Sequence, residues 1–203
     1  MGCGFDVATN GEIDIIKGHI DPKTCIHTHP IKKISSIEYA LDFGIDIFVA
    51  DNELELDKFV PFKDRIKLLL RVSTPNEEVK TNLSMKFGAN FEDMEEMLRK
   101  AKELGLHVMG FCFHVGSQTL KNQKFSKEIG LVYSLFEVAK SYGHNPDRMD
   151  IGGGFPWNYE TGEMDIVSFC EPIREALAPI LAQGIKVYAE PGRFISSPTM
   201  TLV

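Results

Sequence analysis

The residues of this chain able to do chemistry gather where short apolar runs end. Asp6 and Glu12 follow the first run, His27 and His29 the second, and Arg71 closes the fourth. The fifth ends in Phe113-His114-Val115-Gly116-Ser117. The sixth ends in Asp150-Ile151-Gly152-Gly153-Gly154-Phe155-Pro156, and the seventh in Ala189-Glu190-Pro191-Gly192-Arg193. Three successive glycines weaken a helix or strand by roughly 0.5–1 kcal/mol each relative to alanine. They are tolerated in a tight turn, or where main-chain N–H groups must approach a phosphate closely. On the glycines alone, both readings stand. Ser117 and Arg193 suit a phosphate. Glu190 suits a protonated ring nitrogen or another cation. His114 suits an aromatic stack or acid/base work. Singly, His114 reads as a structural histidine, Arg193 as a surface turn residue and Arg71 as a salt-bridge partner. Their joint placement carries the functional reading. His27-Thr28-His29 has the spacing of a metal-binding pair on a strand, but no third ligand is evident, and no metal is expected.

The elements that must position these groups alternate regularly. Strands are expected over Phe5–Ala8, Thr24–Thr28, Ile45–Ala50, Ile66–Val72, His107–Val115, Met149–Ile151 and Ile185–Ala189. Helices are expected over Gly11–Lys17 (capped by Asn10), Lys33–Phe43, Asn52–Phe59, Phe91–Leu104, Asn122–Tyr142 and Asp165–Ala182. The second helix should turn Ile34, Ile37, Tyr39, Ala40 and Leu41 inward, and the fourth Met94 and Met97. Gly44, Gly105, Gly143 and Gly184 sit where helix C-caps belong. Near-continuous apolar strands joined by helices imply a parallel sheet buried on both faces. In a parallel barrel the functional groups collect at the C-terminal strand ends. The long connection Ser73–Asn90 is a candidate functional loop. A closed (β/α)8 barrel needs eight strands and seven are visible; the missing one would have to precede Met1. The apolar run Thr199–Val203 reads as the start of a further element.

Composition sets outer limits. At 203 residues with net charge −7, the chain suits one sizeable core and neither nucleic acid nor an anionic membrane as partner. Cys3, Cys25, Cys112 and Cys170 form no CxxC pair, and neither a signal segment nor an apolar run of spanning length is present. A cytoplasmic location is expected.

The motifs resemble the barrel domain of the ornithine decarboxylase family, the pyridoxal-phosphate decarboxylases of basic amino acids, with an alanine racemase-like TIM-type barrel. The matching pieces are Gly4-Phe5-Asp6-Val7-Ala8 with Glu12, Leu70-Arg71-Val72, Lys86-Phe87-Gly88, the His114 and Ser117 segment, Asp150 through Pro156, and Ala189 through Arg193. They fall in family order across essentially the whole chain. The resemblance implies that Gly152, Gly153, Gly154, Ser117 and Arg193 hold the cofactor phosphate. His114 would stack on the pyridine ring, and Glu190 would pair with the ring nitrogen. Asp6, Glu12 and Arg71 would form the polar network around them, with His114, Glu190 and Arg71 closest to the chemistry.

It further implies decarboxylation of a basic amino acid, first ornithine to putrescine in polyamine biosynthesis, by a homodimer acting on a small-molecule substrate. Glu190 favours decarboxylation over racemisation, since the racemases place an arginine there. Residues 1–196 would form a partial barrel and residues 197–203 the start of a truncated segment. The family's cofactor lysine lies on a strand ahead of the Gly-Phe-Asp motif, and its C-terminal β-domain supplies a catalytic cysteine; neither is in this sequence. The chain alone is therefore expected to be inactive. The other readings are a non-catalytic regulator like the antizyme inhibitors and a stand-alone pyridoxal-phosphate barrel.

Overall fold

The computed structural model describes residues 3–73 and 87–199. Seven strands form one parallel sheet in sequential order: β1 (Asp6–Val7), β2 (Ile26–His27), β3 (Ile47–Ala50), β4 (Lys67–Arg71), β5 (Val108–Cys112), β6 (Arg148–Asp150) and β7 (Lys186–Tyr188). The helices are α1 (Asn10–Ile16), α2 (Ile34–Phe43), α3 (Glu53–Phe59), α4 (Met94–Glu103), α5 (Gln123–Ser141), α6 (Ile166–Leu181) and α7 (Gly192–Ser196). All seven expected strands form; six are shorter than expected, and β6 keeps its three residues but begins one position earlier. Among the described residues no strand joins β1 to β7, and a cleft of about 600 Å3 lies between them, bordered by Phe5, Asp6, Tyr188 and Glu190.

Strand alternation sorts side chains into two layers. Ile26, Ile47, Val49, Leu69, Met109 and Cys112 fill the concave face. Phe48, Leu68, Leu70 and Phe111 point outward into the larger core against the helices. There Phe48 meets Phe59 of α3 at 5.5 Å between ring centroids, and Phe111 meets Phe136 of α5 at 5.5 Å. Each such ring, fully buried, contributes about 1.5–3 kcal/mol relative to exposure. The register slips between Leu68 and Leu69, opposite Val108 and Gly110.

Helix ends follow local chemistry with two corrections. The cap of α1 is Thr9, not Asn10. Thr9 Oγ1 accepts from Glu12 N–H at 3.3 Å while Glu12 Oε2 accepts from Thr9 N–H at 2.8 Å, a reciprocal capping box. In α2, Ile37, Ala40 and Leu41 are buried as expected, but Ile34 at the first turn is exposed. Met94 and Met97 of α4 are buried. Gly44, Gly105, Gly143 and Gly184 all take positive φ at the expected helix ends. Helix α7 was not anticipated. Most of Ser73–Asn90, with Lys86, and most of Thr199–Val203 lie outside the described residues. No helix among the described residues is long and apolar enough to cross a membrane.

Candidate cofactor site

The C-terminal strand ends surround a cavity of about 410 Å3. Its wall includes Asp6 of β1, Arg71 of β4, Cys112 of β5, Asp150 of β6 and, beyond the strands, His114, Ser117, Gly153, Gly154, Glu190 and Arg193. Eight of the ten residues expected from the sequence therefore meet here. Glu12 and Gly152 do not line it. Glu12 is spent on the cap of α1, where its carboxylate also accepts from Ala8 N–H at 2.7 Å. Those donors hold its pKa below the ordinary value.

Three loops are tied together to make the rim. Gly152 bends the chain off β6 at φ +64°, and its N–H donates to Asp150 Oδ1 at 2.8 Å. A Cβ at Gly152 would lie 2.1 Å from the Phe113 carbonyl oxygen, so this position is closed to other residues by the neighbouring backbone. Gly153 has the other role. A Cβ there would stand 3.1 Å from His114 Nε2 and 2.7 Å from the Glu190 carbonyl oxygen, on the cavity wall. The two readings of the glycine run thus apply to different residues of it: Gly152 makes the turn, and Gly153 keeps the wall clear. Phe155 then plugs into the helix layer against Phe125 of α5 at 4.9 Å and Phe169 of α6 at 6.4 Å. Thr119 N–H donates to Gly154 O at 2.9 Å, and Trp157 N–H to Gln118 Oε1 at 3.0 Å, joining the loops after β5 and β6.

The cavity has two electrostatic ends. At one, Arg193 reaches across to Ser117, donating from Nη2 at 2.8 Å and Nε at 3.2 Å to Oγ. At the other, Asp6, Asp150 and Glu190 crowd together near Arg71. Asp150 is 1% exposed, and burial raises its pKa against the donated bond from Gly152 and the hydrogen bond with Glu190. Burial, and then the Asp150 and Asp6 charges, push the Glu190 carboxyl well above the carboxylate range. Asp6 is raised by burial in spite of its hydrogen bond with Thr28. Of the hydrogen-bonded pair, Glu190 is the more strongly raised, so it is the carboxyl that holds a proton more tightly than Asp150. His114 lines the same cavity. Its Nδ1 accepts from Gly116 N–H at 3.0 Å, which leaves the proton of the neutral ring on Nε2. Burial and the Arg71 charge lower its pKa to about 4, so the ring is neutral at pH 7.

A donor set of hydroxyl and guanidinium at one end, and a carboxyl cluster short of cations at the other, fits a ligand carrying a phosphate and a basic ring nitrogen. The match to known proteins decides which one. Residues 1–197 match the model of the pyridoxal-dependent decarboxylases, pyridoxal binding domain. The chain belongs to this family. Its barrel and its pyridoxal-phosphate cofactor are those of the family. The chain is 33% identical to ornithine decarboxylase of Rattus norvegicus over its whole length, covering 44% of that protein. It superposes on lysine/ornithine decarboxylase of Vibrio vulnificus, solved with putrescine, with a TM-score of 0.86 at 40% identity, over 96% of this chain and 51% of that one. The arginine decarboxylase of Paramecium bursaria Chlorella virus gives 0.87 at 33% identity, over 94% and 52%. The chain spans about half the length of the relatives it matches.

Several residues at the site were not singled out from the sequence. Asp150 is one of them: the sequence places it inside the strand expected over Met149–Ile151, whereas the structure ends β6 at it, directly before the glycine turn. Thr28, Cys112 and Phe87 also line the cavity. The Phe87 ring lies 5.3 Å from the Arg71 guanidinium. Tyr159 donates no local pattern to the sequence, yet its hydroxyl sits 2.6 Å from Arg193 Nη1. The His27-Thr28-His29 pair divides: His27 is buried behind the sheet on Phe48, and His29 meets the edge of Phe87 near the rim.

Proposed function

We propose that this chain is the cofactor-binding part of a protein that removes the α-carboxylate of a basic amino acid, with ornithine the first substrate to test. The observation that carries this is the Glu190–Asp150 pair on the wall of the same cavity as the Ser117–Arg193 anchor. When bound, pyridoxal phosphate supplies an electron sink for the pair left by the departing carboxylate. Ser117, Arg193 and the N–H groups of Gly153 and Gly154 would bind the phosphate. Neutral His114 would cover one ring face and exclude water from it; an imidazolium there would repel a protonated ring. Glu190 would hold a proton at the ring nitrogen, and Asp150 would keep the Glu190 carboxyl aimed there. A group that keeps the ring nitrogen protonated strengthens the sink, the requirement for loss of carbon dioxide. A purely regulatory protein would have no use for this carboxyl pair, so decarboxylation is favoured over the regulatory reading. Among the described residues no lysine lines the cavity.

The test is release of carbon dioxide from ornithine, lysine and arginine by the full-length protein with pyridoxal phosphate. Wild type should turn over at least one of them. Glu190→Gln should bind the cofactor yet lose about 100-fold or more in kcat, as expected for removal of a major electrostatic group. Turnover by Glu190→Gln at the wild-type rate would remove the basis of the reading.

A further inference from the structure

Arg193 is an exposed side chain, and fixing so mobile a side chain in one place costs rotamer entropy. Something must hold its guanidinium at the mouth of the cavity. Ser117 does so from the loop after β5. The second holder is Tyr159, from the loop after β6, at a position the mechanism above does not use. Its hydroxyl accepts from Arg193 Nη1 at 2.6 Å, and its ring centroid lies 6.0 Å from the guanidinium carbon. Ser197, just past α7, fixes the phenol from the far side at 3.1 Å between oxygens. Tyr159 thus grips α7 at Arg193 and at its C-cap, Ser197, although the residue is itself exposed. It does not line the cavity, whereas Ser117 and Arg193 do.

We propose that Tyr159 is a positioning residue for the phosphate anchor. It clamps Arg193 over Ser117 before the ligand arrives, and so sets affinity for the phosphate group rather than for the ring. This rests on the cofactor reading above. Two loops and a helix then meet at one guanidinium: Ser117 from β5–α5, Tyr159 from β6–α6 and Arg193 itself from α7. Both hydroxyls accept from the guanidinium, which leaves the Ser117 O–H proton able to turn toward an anion. A preorganised fork loses less freedom on binding than one recruited from solvent.

The experiment titrates the full-length protein and its Tyr159→Phe variant with pyridoxal phosphate and, separately, with pyridoxal, which lacks the phosphate. Absorbance and intrinsic fluorescence report binding without turnover. Tyr159→Phe keeps the ring over the guanidinium and removes the hydroxyl alone. The Kd for pyridoxal phosphate should rise about five- to tenfold, the equivalent of one lost hydrogen bond of ordinary strength at an exposed position. The Kd for pyridoxal and the melting temperature without ligand should not move. Equal weakening for both ligands, or an unchanged Kd for pyridoxal phosphate, would overturn the proposal and leave the cofactor reading intact. Failure of the wild-type protein to bind pyridoxal phosphate would instead overturn that reading, and this one with it.

Discussion

His27 should be a liability that a single substitution removes. It is 1% exposed, stacked on Phe48 at 5.8 Å with 24° between ring planes, and neither ring nitrogen has a hydrogen-bond partner. An unpartnered buried polar group costs about 1–3 kcal/mol. His27→Phe keeps a flat ring of similar size on the same neighbour, so at pH 7 it should stabilise the protein by about 1–2 kcal/mol, with some loss to imperfect packing. That corresponds to a melting temperature higher by about 3–6 °C for a chain of this size. The pH dependence is a second signature. Burial, and then the Lys32 charge, lower the His27 pKa from 6.5 to about 4 in the fold. Above pH 6.5 neither state binds the proton and the group contributes nothing to pH dependence. Below it the unfolded chain gains a proton that the fold refuses, so stability falls as pH falls and the penalty is complete below about pH 4. At 1.36 kcal/mol per pKa unit, the full penalty is about 3 kcal/mol. The advantage of His27→Phe should therefore widen between pH 7 and pH 5, measured by urea unfolding of both proteins across that range. A variant less stable at pH 7, or a gap that stays constant with pH, would refute the account of His27 as neutral and unpartnered.

Two glycine substitutions should separate fold from function. Gly152→Ala puts a Cβ 2.1 Å from a backbone oxygen at a positive φ and should cost about 2 kcal/mol or more in unfolding experiments. Gly153→Ala presses on His114 and the Glu190 carbonyl, and should show its larger effect as about a tenfold weaker Kd for pyridoxal phosphate, the result of misplacing the cavity wall. Phe155→Ala deletes a buried ring that contacts both Phe125 and Phe169, and should destabilise by about 3–5 kcal/mol. Because Phe155 anchors the glycine loop, cofactor affinity should fall with it, whereas Phe155→Leu should recover most of both in the same assays.

How much of this was legible in the sequence depends on the distance over which each residue acts. The strands were readable because parallel strands covered on both faces are apolar throughout, as in Leu68-Leu69-Leu70. Their lengths were overestimated because the pattern continues past the last ladder bond: Phe113 and Val115 are buried beyond β5 while the chain has already turned toward the rim. The α1 cap was present as Thr9-x-x-Glu12, and the same pattern also explains why Glu12 is occupied away from the cavity. Helix α7 is five residues long and opens at Pro191-Gly192, too short for a period and led by turn residues. The strand-end groups were legible because one topological rule places them all on one rim. Tyr159 was not, because its partner is 34 positions away in a loop whose course nothing local dictates.

The two ends of the cavity are built differently, and the difference bears on what the site selects. The anion end is assembled in advance: Arg193 already has its hydroxyl partners, so on the proposed reading a phosphate would meet a formed fork. The carboxyl end is held in a costly state. Three carboxyl groups share the neighbourhood of one guanidinium, and burial together with their mutual repulsion raises the pKa of Glu190 well above the carboxylate range. A ligand with a phosphate alone would use the first end and leave the second as it was. A ligand with a basic nitrogen alone would find no anchor to bring it there. One carrying both can accept the Glu190 proton and let the charges of carboxylate and ring nitrogen balance each other in place of an uncompensated cluster. On the reading proposed above, selectivity for a phosphorylated pyridine would follow from pairing a preformed anchor with an electrostatic deficit, and neutral His114 would add ring contact without disturbing either.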